Sequence, residues 1–391
     1  MSHSLKQDLS LSSTFATGFA MFSMFFGAGN VVFPLTIGQF AKDQNLFAIL
    51  GLLITAVGVP FLGLLSMTLY NGNYKKYFER IGRTPGFLVS FLIMSLIGPL
   101  GAIPRCIALS YSTAKIFLPE LSLPFFSCIS CLIIFLFTFK RNRILDLLGY
   151  LLTPLLLLSL GVIIVKGLSN APTLTLNSTP AVEVFFKGVK EGYQTMDLLG
   201  AFFFSSVVVT GLTQHTDPTD PTNSKKIIKA AGLASFIGAS LLGFVYIGFS
   251  FVAAYHSESI KNIQQDLLIG QIALNILGAH LGFIACIAVA LACLTTAIAL
   301  ATVSAEFIHK DLTFNRVSYL VSLIITLVIS YYISTLNFTG IVSMLAPILQ
   351  ILYPALLVLS ILNIFYKIYH IKPVKVPFFA TLILVLLIYL I

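Results

Sequence analysis

Asp197 heads a stretch without another charge, Leu198 to Leu212, in an apolar part of the chain. A carboxylate in such a setting is costly to bury and by default marks a function. It can hold an ammonium group or a cation, or it can brace a broken helix by accepting backbone N–H bonds. Phe202, Phe203 and Phe204 follow it, as candidates for an apolar pocket or as side chains facing lipid. A second segment, Phe26-Gly27-Ala28-Gly29-Asn30-Val31-Val32-Phe33-Pro34, also lies inside an apolar run. Two glycines, an asparagine and a proline weaken a helix there, and backbone freed in that way must line a cavity or meet protein. Exposed carbonyls suit an ammonium or Na⁺, and a half-helix N-terminus suits a carboxylate. Together they can hold a zwitterionic amino acid. Gly27 and Gly29 can equally serve only to let a neighbouring helix approach. The third segment is Ala292-Cys293-Leu294-Thr295-Thr296. Residues three and four apart share a helix face, so the Ala292 carbonyl and both Thr hydroxyls can converge on one hard cation. Threonine in a helix also commonly bonds its own backbone.

The elements that must position these groups are apolar helices. The 391 residues are 58% hydrophobic and 9% charged, whereas a soluble domain carries about a quarter charged residues. Apolar runs near 13–41, 46–70, 86–117, 122–139, 144–166, 182–214, 227–254, 281–307, 315–335, 338–368 and 376–391 are each close to the roughly 20 residues that cross a bilayer. The alternation of a membrane β-barrel is missing. The expected fold class is an all-α polytopic membrane protein with about eleven transmembrane helices. The longest polar connection, Ser169 to Pro180, separates spans five and six. It divides a single transporter-like domain into five helices at 13–168 and five at 181–368, with a further helix at 376–391. Five is an odd number, so two related halves would be inverted in the membrane, with helices one and six broken.

A net charge of +9 suggests nucleic acid until its distribution is read. Most Lys and Arg residues, 16 of the 23, fall on the side of the N-terminus: Lys6; Lys75, Lys76, Arg80 and Arg83; Lys140, Arg141 and Arg143; Lys225, Lys226 and Lys229; Lys310 and Arg316; Lys367, Lys372 and Lys375. Lys42, Lys115, Lys166, Lys187, Lys190 and Lys261 fall on the other side. This is a topology signal that places the N-terminus in the cytoplasm, and the expected partner is a lipid bilayer with no nucleic acid. The first residues lack a signal-peptide pattern, so the first span is expected to be retained. Arg105 lies within span three, about 28 Å from its inner end at 1.5 Å per residue. It either snorkels to the outer face or enters a gating ion pair. The clear charges of the expected membrane interior, Arg105, Asp197 and Glu306, are scattered over three spans. They form no catalytic constellation, which argues against an enzyme. No repeated pore motif or charged ring speaks for a channel. Cys128 and Cys131 have no His or second Cys pair near them, so no metal or redox role is expected, and no cofactor either.

At these residues the chain resembles the branched-chain amino acid:cation symporters, bacterial carriers of leucine, isoleucine and valine. The resemblance rests on Gly18-Phe19, Phe26 to Asn30 and Phe33-Pro34, then Gly98-Pro99 with Pro104-Arg105, and Gly192-Tyr193 with Thr195-Met196-Asp197 and Leu199-Gly200-Ala201. Further on come Ala292-Cys293-Leu294 with Thr296-Ala297, Ala305-Glu306-Phe307 and Tyr353-Pro354. Their order and spacing hold over almost the whole chain. The resemblance implies the leucine-transporter fold, whose first and sixth helices are unwound around the substrate, and a Na⁺-coupled importer of branched-chain amino acids in a bacterial inner membrane. It implies that Gly27, Ala28, Gly29 and Asn30 face the amino and carboxylate groups, joined by Tyr193, Thr195 and Asp197. It also implies a Na⁺ site of Ala292, Thr295 and Thr296, completed by carbonyls near Ser23 and Phe26. An H⁺-coupled carrier, or a carrier of another amino acid or a nucleobase, is the alternative. Family members usually carry a twelfth span, whereas this chain stops at Ile391 within its eleventh apolar run.

Overall fold

A computed structural model describes residues 11–139, 144–213 and 221–390. Among them every regular element is helical and no strand occurs. The basic loop at 140–143 and the connection at 214–220 lie outside the described residues, and so does Lys6.

The first apolar run folds as two helices, α1 (Leu11–Phe25) and α2 (Ala28–Ala41), parted at Phe26 and Gly27. Next, α3 (Asn45–Leu53) runs through a π turn at Ile54–Gly58 into α4 (Val59–Thr68). The wide turn sits where Pro60 has no N–H to give the preceding turn. A short α5 (Tyr74–Phe78) precedes the third run. That run was expected as one span over 86–117, but it divides into α6 (Arg83–Ile97) and α7 (Ala102–Lys115). Pro99 has no N–H for a helix, while Gly98 at ψ −120 and Gly101 at ψ −81 leave the helical region on either side of it. Then follow α8 (Leu123–Phe139) and α9 (Ile144–Ser169).

After an extended connection the divided helix recurs, as α10 (Ala181–Gln194) and α11 (Asp197–Thr213), parted at Thr195 and Met196. The remaining helices are α12 (Pro221–Tyr255), α13 (Leu268–Phe307), α14 (Tyr319–Ser334), α15 (Asn337–Tyr369) and α16 (Lys375–Leu390). α13 begins well before the apolar run that starts near 281. Gln271, Asn275 and His280 mask its first turns in the hydropathy pattern. It kinks at Gly278, whose φ is 76, a value that glycine reaches without strain. Beyond the kink the backbone folds back closely, so that a Cβ on Gly282 would lie 3.1 Å from the Ala273 carbonyl oxygen.

The packing follows a crossed pattern. α1 and α2 both lie along α12, while α10 lies along α3 and α11 along α4. The α3–α10 contact is made backbone to backbone, since a Cβ on Gly51 would collide with the Phe185 carbonyl and one on Gly188 with that of Ala48. Small residues at helix crossings allow this approach in a medium where apolar side chains gain little by leaving lipid. α13 packs along α7 and α9. Large apolar side chains such as Leu132 and Leu136 on α8, Val328 on α14 and Ile388 on α16 stay exposed, a surface suited to acyl chains. Among the described residues five continuous helical stretches are long and apolar enough to cross a bilayer, with five shorter apolar helices beside them. The chain is a multi-pass membrane protein.

Candidate functional site

The two helix breaks meet at the centre of the protein. Gly27, extended at φ −119 and ψ −164, precedes α2. Its N–H donates to Asn30 Oδ1 at 3.0 Å, and the Asn30 N–H returns a bond to the Gly27 carbonyl at 3.2 Å. This reciprocal cap closes the first turn of α2. The Asn30 side chain then reaches across to the second break. Its Nδ2 donates to both Asp197 carboxylate oxygens, at 3.0 and 2.8 Å, and to the Tyr246 hydroxyl. The Tyr246 hydroxyl donates in turn to Asp197 Oδ2 at 2.9 Å. Asp197, the first residue of α11, is 4% exposed. A buried carboxylate supplied with several donors stays satisfied without an ion pair; its donors here are side chains of α2 and α12, and among the described residues no backbone N–H bonds to it. Beside Asp197, Tyr353 accepts the Leu198 N–H at 3.2 Å, and on the other side of the break the Thr195 hydroxyl donates to the Gly192 carbonyl at 2.9 Å.

A cavity with about 450 Å³ of empty space, its mouth included, opens beside this junction. Its polar wall holds Gly27, Ala28, Gly29, Asn30, Arg105, Thr195, Asp197 and Thr296. The rest is apolar, including Met24, Phe25, Ile97, Phe204 and Leu300. Gly27, Ala28, Gly29, Asn30, Thr195 and Asp197 of the expected substrate set are therefore together. Tyr193 is not in the wall; its ring lies against that of Tyr353, with centroids 4.8 Å apart. Of the three phenylalanines only Phe204 lines the cavity. Phe202 packs on Tyr77 and Phe78, and Phe203 on Tyr74 and Phe307, so none of the three is a lipid-facing side chain.

The oxygens expected at a cation site lie just beyond. Thr296 Oγ1 is 3.1 Å from the Phe26 carbonyl and 3.0 Å from that of Ala292, and Thr295 Oγ1 donates to the Ala292 carbonyl at 2.9 Å. Phe26, Ala292, Thr295 and Thr296 thus form one cluster of oxygen atoms spanning the first break and α13. Ser23 sits in the last turn of α1, half-buried, and among the described residues no hydrogen bond joins it to that cluster.

Arg105 departs from its expected place. It is 1% exposed and does not snorkel to the outer face. A continuous rod over 86–117 would carry Arg105 toward the outer face, but the break at Gly98–Gly101 makes it part of the first turn of α7. Its Nη1 donates to the Gln194 carbonyl at 2.6 Å and its Nη2 to Gln194 Oε1 at 3.0 Å. Among the described residues no carboxylate lies within ion-pair distance of it, so the alternative of a gating ion pair is not what this conformation contains. Tyr246, Gln194 and Tyr353 were not singled out from the sequence as partners of the breaks. A tyrosine in an apolar run carries no local signal of such a partnership, whereas an arginine in one does.

A family profile described as branched-chain amino acid transport protein matches residues 10–391. The branched-chain amino acid permease BraB of Bacillus subtilis is 30% identical over 377 residues, covering 93% of this chain and 82% of the permease. A provisionally named branched-chain amino acid carrier protein of Staphylococcus haemolyticus is 31% identical over 383 residues, covering 93% of this chain and 84% of that relative. Among solved structures, the inward-facing conformation of Mhp1 superposes with a TM-score of 0.62 at 15% identity, over 90% of this chain and 76% of that one. MhsT in complex with L-phenylalanine superposes with a TM-score of 0.54 at 16% identity, over 95% and 97%. At these identities the likeness concerns the fold, which is that of the leucine-transporter group.

Proposed function

The chain belongs to the branched-chain amino acid transport protein family, a family of transporters and not of enzymes, and on that premise we propose a sodium-coupled importer. In this reading it carries leucine, isoleucine and valine across a bacterial inner membrane by alternating access. The observation that carries it is the junction of the two breaks. Polar groups for both ends of an amino acid line one part of the cavity, apolar side chains line the rest, and an oxygen cluster adjoins it at Phe26 and Thr296. The substrate is coordinated by Gly27, Ala28, Gly29, Asn30, Thr195 and Asp197, with Tyr193 behind them. Na⁺ takes its oxygens from Ala292, Thr295, Thr296 and Phe26, with Ser23 as the remaining candidate. Hard cations prefer such ligands, whereas H⁺ coupling requires a titratable group, for which Asp197 is the candidate.

The same reading takes eleven crossings, with the N-terminus in the cytoplasm as the Lys and Arg distribution requires, and two inverted five-helix halves at 13–168 and 181–368. The crossed packing supports that repeat: each divided helix lies along the second helix of the other half. Leucine uptake into proteoliposomes under an imposed Na⁺ gradient, at fixed pH and membrane potential, tests the coupling. Accumulation that ignores Na⁺ and follows a pH gradient would move the coupling to Asp197. A panel of labelled substrates in which another amino acid or a nucleobase outcompetes leucine would overturn the substrate.

A further inference from the structure

A guanidinium drawn into an apolar interior is costly unless an anion meets it. Arg105 is 1% exposed, yet both of its bonded nitrogens face neutral oxygens of Gln194. Its Nε has no partner, and among the described residues no carboxylate is within ion-pair distance. The residue nevertheless lines the central cavity. Two features add to the positive potential there. Arg105 sits in the first turn of α7, and the first turn of α2 forms another part of the same wall. Both turns are helix N-termini, where the dipole favours an anion. The one carboxylate of the wall, Asp197, takes donors from Asn30 and Tyr246 and none from Arg105.

We propose that Arg105 binds the α-carboxylate of the transported amino acid, using the Nε–H and remaining Nη hydrogens that Gln194 leaves free, and so makes a free carboxylate obligatory in the substrate. The inference rests on the function proposed above. Guanidinium suits the task because its planar fork matches a carboxylate edge to edge. Gln194 acts as a positioning residue, fixing the plane of the fork through two bonds. The α-ammonium then falls to the freed carbonyls and to Asp197, and the branched side chain to Met24, Phe25 and Phe204.

Purified full-length protein, titrated with leucine and with leucinol while its thermal unfolding is followed, separates these roles. Leucinol keeps the ammonium and the side chain but replaces the carboxylate by a hydroxymethyl group. In the wild type leucine should stabilise at concentrations on the order of 100-fold below those of leucinol, as expected for a buried charged pair. Arg105→Gln should raise the leucine midpoint on the order of 100-fold and move that of leucinol less than about threefold. Arg105→Lys, which keeps the charge and loses the fork, should fall between. If leucine and leucinol weaken together in Arg105→Gln, the arginine is only a strut and the proposal is wrong. Should Arg105→Gln not fold, the lysine variant and the wild type decide: equal loss of both ligands in the former, or equal midpoints in the latter, overturns it. Wild-type protein indifferent to leucine, isoleucine and valine alike would overturn the transport function itself, and this inference with it.

Discussion

The two helix breaks face each other across one cavity but are built from different chemistry. At Phe26–Gly27 the chain is glycine-rich and uncharged, and Gly27 holds an extended conformation open to any residue. At Thr195–Met196 there is no glycine, although Met196 has a φ of 63, in the left-handed region where side chains are disfavoured. The second break is instead held by Asp197, whose carboxylate stands at the start of α11 and takes donors from Asn30 and Tyr246. A carboxylate there already satisfies the positive end of its helix. The start of α2 has no such acid. On the proposed reading this difference would orient a zwitterion, with its cationic end toward Asp197 and its anionic end toward Arg105.

The largest expected effect comes from erasing this asymmetry. Asp197→Asn keeps the shape, removes the charge and turns an acceptor of several bonds into a partial donor. Leucine uptake should fall on the order of 100-fold while the protein still reaches the membrane, and near-normal uptake by a well-expressed variant would sink the role of the acid. Gly29→Ala strikes where the breaks touch. Its Cβ would stand 3.1 Å from the Thr195 Cα and 3.3 Å from the Thr195 carbonyl oxygen, both backbone atoms. Crowding of this kind costs about 1–3 kcal/mol, read as a drop in uptake of roughly ten- to a hundredfold. Thr296→Ala removes one oxygen beside the first break and should raise the Na⁺ concentration for half-maximal uptake about tenfold. Thr296→Ser should raise it much less, and equal behaviour of the two variants would remove the hydroxyl from the ion site. The smallest effect is expected at Gly27→Ala. The new methyl would stand 3.3 Å from the Thr296 Cγ2, a side-chain end that can shift, and at ordinary contact distance from Asn30 Oδ1 and Cys106 Sγ, so uptake should change less than about threefold. Combining it with Thr296→Ser, which deletes that methyl, should recover any loss.

Much of this arrangement can be read from residue order, because its causes are local. Gly27, Gly29 and Asn30 cannot sustain a regular helix without help, and Asp197 cannot sit in an apolar run without partners. Apolar runs mark most helices for the same reason. What escapes is set by the third dimension. Tyr246 lies within α12 and becomes a partner of Asp197 and Asn30 only because α12 packs against both α11 and α2. Gly98, Pro99 and Gly101 signal the division of span three, but hydropathy runs through it unbroken, so the place of Arg105 follows only once the two helices are seen to part. The early start of α13 was hidden because its first turns are polar, so hydropathy and helicity part company there.

The Phe26 carbonyl has a further consequence. It accepts the Thr296 hydroxyl on one side, and the very next residue, Gly27, lines the cavity. On the proposed reading an ion and an amino acid are therefore separated by a single peptide plane. Coupled binding equilibria are reciprocal: whatever factor the ion contributes to holding leucine, leucine must return in holding the ion. Such a linkage has no preferred sense. Nothing in the peptide distinguishes entry from exit, and the arrow of transport belongs to whichever side of the membrane keeps the higher concentration of the ion.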